Sequence, residues 1–374
     1  MNKLFTICLV LLIAFSTSTF ADWKSLDRDA RGASDLEVRL ISSTPEEVKF
    51  EVRVPGYMQR ELEVAGQNVI ALHIPGSSKY MQAGFPLVPK MAKLIQIHNT
   101  CCVKMTVVSK EEVEIELDAP IIPSRGHFTR DISPESVPFE FGPIYQQDSY
   151  WPAEEDQFKV GESFLLRDVR GARVQVLPVR ANHVQNKMKV LKSAVISLTF
   201  EGTSRDNTLS TSRNASAPDA TFNNLYKDAF LNYSQPRVRG AIPDASNRKL
   251  IVVATEEFNG AISNWVEWRK KSGYNVVVKS TTRGTSADSI KGYLQEMYND
   301  SKNRFAYVVL IGDAGFNWDF TKSEPMPTFK GKYEGAAADR VYVRLAGDDN
   351  YADAFVSRVS GTPEQVRTQL DKIL

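Results

Sequence analysis

The chain has 374 residues, with 46 basic against 45 acidic side chains and 42% hydrophobic residues. That is length enough for two ordinary domains, each with its own core. A net charge of +1 gives no support to nucleic-acid binding or a polybasic membrane role, and no stretch after residue 21 approaches the roughly 20 apolar residues of a spanning helix.

The first 21 residues differ from the rest. Lys3 supplies a positive start, residues 4–15 an apolar run, and Thr19-Phe20-Ala21 a small-x-small cleavage signal. These are the three parts of a secretory signal peptide, so export and an extracellular or cell-surface location are expected. Only Cys101 and Cys102 remain after cleavage. Neighbours on a strand point to opposite faces, so the pair is poorly placed to share a metal, and both are expected as small buried residues. A nucleophilic pairing with His98 lacks an acid partner or an oxyanion motif.

Residues 22–202 read as an all-β region. Val48, Phe50, Val52 and Val54 alternate with charged residues until Pro55, and Val113, Ile115 and Leu117 alternate with glutamates. Val174 and Val176, then Ile196, Leu198 and Phe200, repeat the pattern. Alternation with turn punctuation predicts half-buried antiparallel strands, hence an N-terminal sandwich, jelly-roll-like. Residues 203–248 have the composition of a linker, rich in Ser, Thr, Asn and Asp, with the basic stretch Pro236-Arg237-Val238-Arg239-Gly240 near its end. Such segments are where proteolytic nicking concentrates.

A second domain is predicted over residues 249–374. Residues 250–254 form an apolar strand; Phe258, Ile262, Trp265 and Val266 follow at helical spacing, and Gly273 stops the helix. A strand at 276–278 leads to an amphipathic helix through Ile290, Leu294 and Met297, which Thr285 and Asp288 would cap. Residues 307–313 read Tyr-Val-Val-Leu-Ile-Gly-Asp, a strand buried on both faces that ends in a turn and a carboxylate. A long loop to about residue 338, a strand at 354–359 and a helix started by Thr362-Pro363-Glu364-Gln365 complete the pattern. The order β-α-β-α-β predicts a mostly parallel sheet between helices, with ligands at the carboxyl ends of its strands. The last helix stops in mid-stripe at Leu374, so the sequence reads as a fragment with an incomplete second domain.

Three chemistries can be weighed. The turn after the first parallel strand, Thr255-Glu256-Glu257-Phe258-Asn259-Gly260, lacks the glycine spacing of a dinucleotide site and carries two carboxylates. Residues 346–353, Ala-Gly-Asp-Asp-Asn-Tyr-Ala-Asp, offer hard oxygen ligands suited to calcium, although not at EF-hand spacing, and read equally as a solvated acidic turn. Residues 249–374 contain no Cys and no His, so a Cys–His or Ser–His centre in this domain needs residues from elsewhere.

In their order and spacing, residues 250–254, Trp265, Trp268, residues 307–313, Ala338-Asp339-Arg340-Val341-Tyr342, Gly347-Asp348-Asp349 and Phe355-Val356-Ser357-Arg358 resemble the start of the catalytic domain of gingipain-type cysteine peptidases. The β region, including Gly84-Phe85-Pro86-Leu87-Val88-Pro89, is similar to the propeptide of that family. The resemblance implies a secreted zymogen, with a sandwich prodomain packed over the active-site edge of a caspase-like α/β/α domain. It implies a cysteine-type endopeptidase acting on proteins or peptides, with a Cys nucleophile and a His base on the sheet's carboxyl edge; the best-known members cut after Arg or Lys, and some use type IX secretion. Matched position by position, it implies structural Ca2+ in the acidic loop, with carboxylates from Asp349 and Asp353 and backbone carbonyls from Ala346 and Tyr351. The catalytic pair and the specificity pocket have no counterpart here, so the chain by itself is expected to be inactive. Arg237, Arg239 and Arg248 are the expected processing sites if maturation follows Arg. The alternative is a non-catalytic secreted module, such as a cell-surface or secretion-system component that kept the fold and lost the pair.

Overall fold

The computed structural model describes residues 21–27, 32–209, 219–234, 248–300, 303–314, 325–332 and 335–374. The signal-peptide reading, Arg237 and Arg239 lie outside the described residues, apart from Ala21.

The alternating stretches become antiparallel strands because one face of each can be buried while the other stays wet. In chain order they are β1 (Asp22–Ser25), β2 (Glu37–Ser43), β3 (Glu47–Arg53), β4 (Gly56–Val64), β5 (Gln67–His73), β6 (Ser78–Lys79) and β7 (Pro89–Gln96). There follow β8 (Cys102–Glu116), β9 (Phe158–Leu166), β10 (Val169–Val176), β11 (Val179–Asn182) and β12 (Lys187–Glu201). Three sheets result, ordered β1-β4-β5, β6-β7-β10-β9 and β11-β12-β3-β2, with β8 also paired along β12. Their inner faces share one core that includes Phe50, Ile70, Ile95, Val174 and Ile196, all fully buried. The sandwich read from alternation is therefore present. Cys102 opens β8 exposed and Cys101 is half-buried, so the expectation that both are buried is corrected; both are free thiols. His98 Nδ1 faces the backbone N–H groups of Thr100 and Cys101, each at 3.3 Å.

Part of the stretch read as linker is ordered against this sandwich. Arg170, 1% exposed, spends its guanidinium on the carbonyls of His98, Cys101, Asp206 and Asn207 and on Ser163 Oγ. That bonding ties residues 206–207 to β10. Helix α1 (Ala220–Ala229) starts at Asp219, whose side chain accepts from Thr221 N. Its buried face, Phe222 and Tyr226, is followed by Phe230, also buried. Spacing of four residues behind an Asp cap is an ordinary helix signal, so this element was readable in the sequence.

The second domain is a parallel sheet with helices on both faces. Its elements are β13 (Lys249–Thr255), α2 (Asn259–Lys271), β14 (Asn275–Thr281), α3 (Ala287–Asn299), β15 (Tyr307–Ile311), β16 (Phe355–Val359) and α4 (Pro363–Asp371). The sheet order is β14-β13-β15-β16, with every pairing parallel. Leu250, Val252 and Ala254 pack with Ile262, Trp265, Val266, Val366 and Leu370 of α2 and α4. Ile251 and Val253 face the other way, toward Ile290 and Leu294 of α3. Two-sided burial explains the uninterrupted apolar runs. The α4 capping box of Thr362 and Gln365 is formed. At α3 the cap is Ser286, which accepts from Ser289 N; Thr285 instead closes a turn with Thr282.

Candidate functional site

At the carboxyl edge of the sheet, β15 ends in Gly312 at φ +111°, where an added Cβ would lie 3.1 Å from Pro325 Cγ. Only glycine takes that conformation readily. The edge is organised by Arg358, which donates to the carbonyls of Gly312, Met326 and Pro327 and to both carboxylate oxygens of Asp339. Burial opposes ionisation of Asp339, but its bonds from Arg358 and Thr328 outweigh burial and hold its carboxyl below the ordinary value. Asp313 is exposed, and its carbonyl accepts from Met326 N.

The acidic loop lies at the opposite, amino edge, because residues 346–353 lead into the start of β16. Here the two domains meet. The two-residue turn between β9 and β10 is Arg167 and Asp168, with Arg167 at φ +53°. A left-handed arginine costs about 1–3 kcal/mol and persists only where its surroundings fix it. Those surroundings are the acidic loop. Asp353 Oδ1 accepts the backbone N–H of Arg167 at 2.8 Å, and Asp353 Oδ2 accepts those of Leu345 and Ala346, each at 2.7 Å. Arg167 Nη1 donates to the carbonyls of Asp353 and Phe305, both at 2.7 Å. Asp349 Oδ2 accepts from Leu165 N at 2.7 Å, and its Oδ1 from Tyr351 N at 2.8 Å.

Around this centre a wider contact forms. Arg304 Nη1 meets Asp168 at 2.6 Å, and Arg304 Nη2 donates to Tyr298 Oη and to the Arg167 carbonyl. Asn207 Oδ1 accepts from Asp348 N at 2.7 Å. Phe164 stacks on Tyr351 with centroids 3.9 Å apart. Leu165 and Leu209 are buried in the core that lies beneath α3. Each such leucine contributes about 1.5–3 kcal/mol to holding the domains together. Helix α1 closes the seam through Phe222 on Phe355 and Thr221 Oγ1 at 2.6 Å from Tyr307 Oη. The interdomain hydrogen bonds between described residues fall on this amino edge.

The expected calcium ligands can now be placed. Asp349, Asp353, Ala346 and Tyr351 do come together in one loop, with Asp353 fully buried and Ala346 3% exposed. Burial pushes the Asp353 carboxyl up to about 6, against three backbone N–H groups that favour its charged form. Both oxygens of each carboxylate, however, already accept backbone N–H groups, two of which come from the N-terminal sandwich. The Arg167 and Arg344 guanidinium groups also donate to the carbonyls of Asp353 and Asp349. Among the described residues no group of three or more His, Cys, Asp or Glu is placed to hold a metal ion. Arg248, the described member of the expected processing sites, is exposed, and its carbonyl accepts from Asn275 N at 3.1 Å. Arg167, Asp168, Asn207 and Arg304 were missed in the sequence because polar and charged residues next to strands are ordinary there, and their partners lie 136–186 positions away.

No described helix is long and apolar enough to cross a membrane. The family model described as Propeptide_C25 matches residues 29–238, and that of peptidase family C25 matches residues 243–374. Gingipain R2 of Porphyromonas gingivalis is 25% identical over 370 residues, which is 98% of this chain and 48% of that protein. Gingipain R1 of the same organism is 26% identical over 380 residues, 100% of this chain and 21% of the relative; Lys-gingipain is 26% identical over 328 residues, 84% and 18%. The chain thus spans about half, or less, of the length of these relatives. Among solved structures, the complex of Porphyromonas gingivalis RgpB pro- and mature domains aligns at 25% identity with a TM-score of 0.47, covering 53% of this chain and 98% of that one. The zymogen of gingipain K from the same organism aligns at 22% identity with a TM-score of 0.43, covering 49% and 100%. On the match to the two family models, which together take in most of its length, the chain belongs to the gingipain-type family of cysteine peptidases and carries a propeptide followed by peptidase-domain sequence.

Proposed function

We propose that the chain is the N-terminal portion of an exported cysteine endopeptidase zymogen that acts on proteins or peptides. The observation that carries this reading is the joint presence of propeptide and peptidase sequence, held together by a buried seat at Asp349 and Asp353. Residues 1–21 would direct export, and the protein would act outside the cell or at its surface. The peptidase portion, residues 249–374, contains no Cys and no His, so the nucleophile and base must come from residues outside this sequence, and the chain by itself is inactive. Maturation would proceed by cleavage at Arg237 or Arg239 in preference to Arg248, whose carbonyl is bound into the sheet. The test is hydrolysis of Arg- and Lys-containing peptides by the full gene product, before and after cleavage between the domains. A downstream frame without a Cys and a His, or a processed product that hydrolyses nothing, would leave a non-catalytic secreted module as the reading.

A further inference from the structure

Helix α2 packs on β13 through Ile262, Trp265 and Val266, but on the same face of β16 Phe355 is 37% exposed and Ser357 is exposed. Between them lies a pocket of about 160 Å3 whose lining includes Trp265, Arg269, Tyr274, Tyr307, Val309 and Phe355. Two donors at this pocket are unmet. Trp265, 3% exposed, has its Nε1 buried, and Arg269 has its Nε buried, neither with a hydrogen-bond partner among the described residues. Buried donors in native structures are ordinarily bonded, so two orphans at one pocket point to an acceptor that is not part of the described chain. The Arg269 guanidinium carbon lies 5.3, 4.8 and 5.4 Å from the ring centroids of Trp265, Trp268 and Tyr274, and no carboxylate among the described residues pairs with it. Ring faces attract the charge but give the in-plane Nε–H no oxygen to bond.

We propose that this pocket binds a carboxylate carried on a small apolar body, with Trp265 and Arg269 as its donors. The two residues are four apart on α2, so they stand as neighbours on one helix face and offer one neutral and one charged N–H. A carboxylate accepts from both and supplies the anion that Arg269 lacks. The volume sets the body: a dry apolar cavity of about 150 Å3 holds one benzene ring. The rings of Tyr307 and Phe355, stacked with centroids 5.7 Å apart, give such a ring an apolar wall. An inorganic anion would meet the donors and leave that wall uncovered. A free aromatic acid and the C-terminal residue of a peptide both carry the required group. The site is independent of the zymogen reading above.

The experiment titrates phenylacetate into the purified chain and into the full gene product while the Trp265 indole N–H is followed by NMR, its resonance identified by its loss in Trp265→Phe. A ligand of about ten non-hydrogen atoms is expected to bind with a Kd of about 1 mM. The expected result is saturable movement of that resonance in both proteins, at least about tenfold tighter for phenylacetate than for phenylacetamide, which lacks the charge, or acetate, which lacks the ring. The dipeptide Gly-Phe in the same titration separates the two sources: tighter binding than phenylacetate assigns the site to peptide C-termini, weaker binding to free acids. An indole resonance that does not move, or equal affinity for acid and amide, would overturn the proposal. Binding by the 374-residue chain and none by the full gene product would also overturn it, since protein would then fill the pocket. Arg269 is half-buried on α2, and Arg269→Gln is expected to lose the preference for acid over amide; a preference that survives counts against the site. Should Arg269→Gln fail to fold, Ser357→Trp, at an exposed position, fills the pocket and is expected to abolish binding. Undiminished binding in that variant would place the ligand elsewhere and refute the assignment. None of these readouts uses peptidase activity, so the zymogen reading and this site fail separately.

Discussion

Arg167 of the prodomain and Asp353 of the peptidase domain bond twice in opposite senses: the Arg167 backbone N–H donates to the Asp353 carboxylate at 2.8 Å, and the Arg167 guanidinium donates to the Asp353 carbonyl at 2.7 Å. Because the carboxylate also takes two N–H groups from its own loop, Asp353→Asn would set an amide NH2 against backbone donors. Leaving buried donors unmet costs about 1–3 kcal/mol each. The expected outcome is a loss of about 3 kcal/mol in urea unfolding, with faster exchange at residues 165–167. An unchanged midpoint would show that the seat contributes nothing to cohesion.

The Arg304–Asp168 pair crosses the same seam at 2.6 Å, with side-chain exposures of 14% and 15%. Burial disfavours the Arg304 charge, and Asp168 and Tyr298 more than compensate, holding the guanidinium above its ordinary value. Removing one partner strands the other in a place poorly reached by water. Asp168→Ala is therefore expected to cost about 3–5 kcal/mol, more than Asp168→Ala combined with Arg304→Met. A double-mutant cycle without coupling would refute this account of the pair.

What could be read from sequence follows the range of the interactions involved. Phe50, Val174 and Ile196 announce strands by alternation, and residues 250–254 and 307–311 announce a parallel sheet by continuous apolarity, because each pattern is local. The loop carrying Asp349 and Asp353 was also visible. Its occupant was not, since Leu165 reads only as one more strand residue until it meets Asp349, 184 positions away. Which edge of the sheet a neighbouring domain selects depends likewise on paired surfaces, and no periodicity encodes that.

Processing offers a further test. The Arg248 carbonyl bonds to Asn275 N, and Lys249, 7% exposed, reaches Asn303 with its Nζ at 2.9 Å. A protease needs an extended segment that can leave the fold, so cleavage after Arg248 is expected to be slow. Brief treatment with an Arg-cleaving protease, followed by N-terminal sequencing, should give ends at Val238 or Gly240. A dominant end at Lys249 would contradict this.

Acid should act on the sandwich through His183. Its ring lies 4.3 Å from that of Tyr145, neither ring nitrogen has a hydrogen-bond partner among the described residues, and burial pushes its pKa down to about 4. The unfolded chain binds a proton near pH 6.5, well above the folded value, so the unfolded state holds more protons across that window. Stability is accordingly complete above about pH 6.5 and falls as pH drops toward about 4. His183→Phe should flatten this slope in thermal melts across the window. A slope as steep as the parent's would exclude His183 as its source.

At the carboxyl edge the sign is set by a depressed carboxylate. Asp339 sits below its ordinary value, its burial outweighed by Arg358 and Thr328, so its contribution is present above about pH 4 and is lost as pH falls through the lower folded value. Asp339→Asn keeps an acceptor for Thr328 but gives up the ion pair, whose side chains are 12% and 23% exposed. It should cost about 1–3 kcal/mol near neutrality and progressively less as pH falls through the lowered folded value, where the native carboxyl also becomes neutral. Arg358→Lys should cost about as much at neutral pH, because a lysine's compact ammonium cannot reproduce the fork that gathers Gly312, Met326, Pro327 and Asp339 at once. Equal stability of Asp339→Asn and the parent at pH 7 would show that the clamp orders the loop without stabilising the domain.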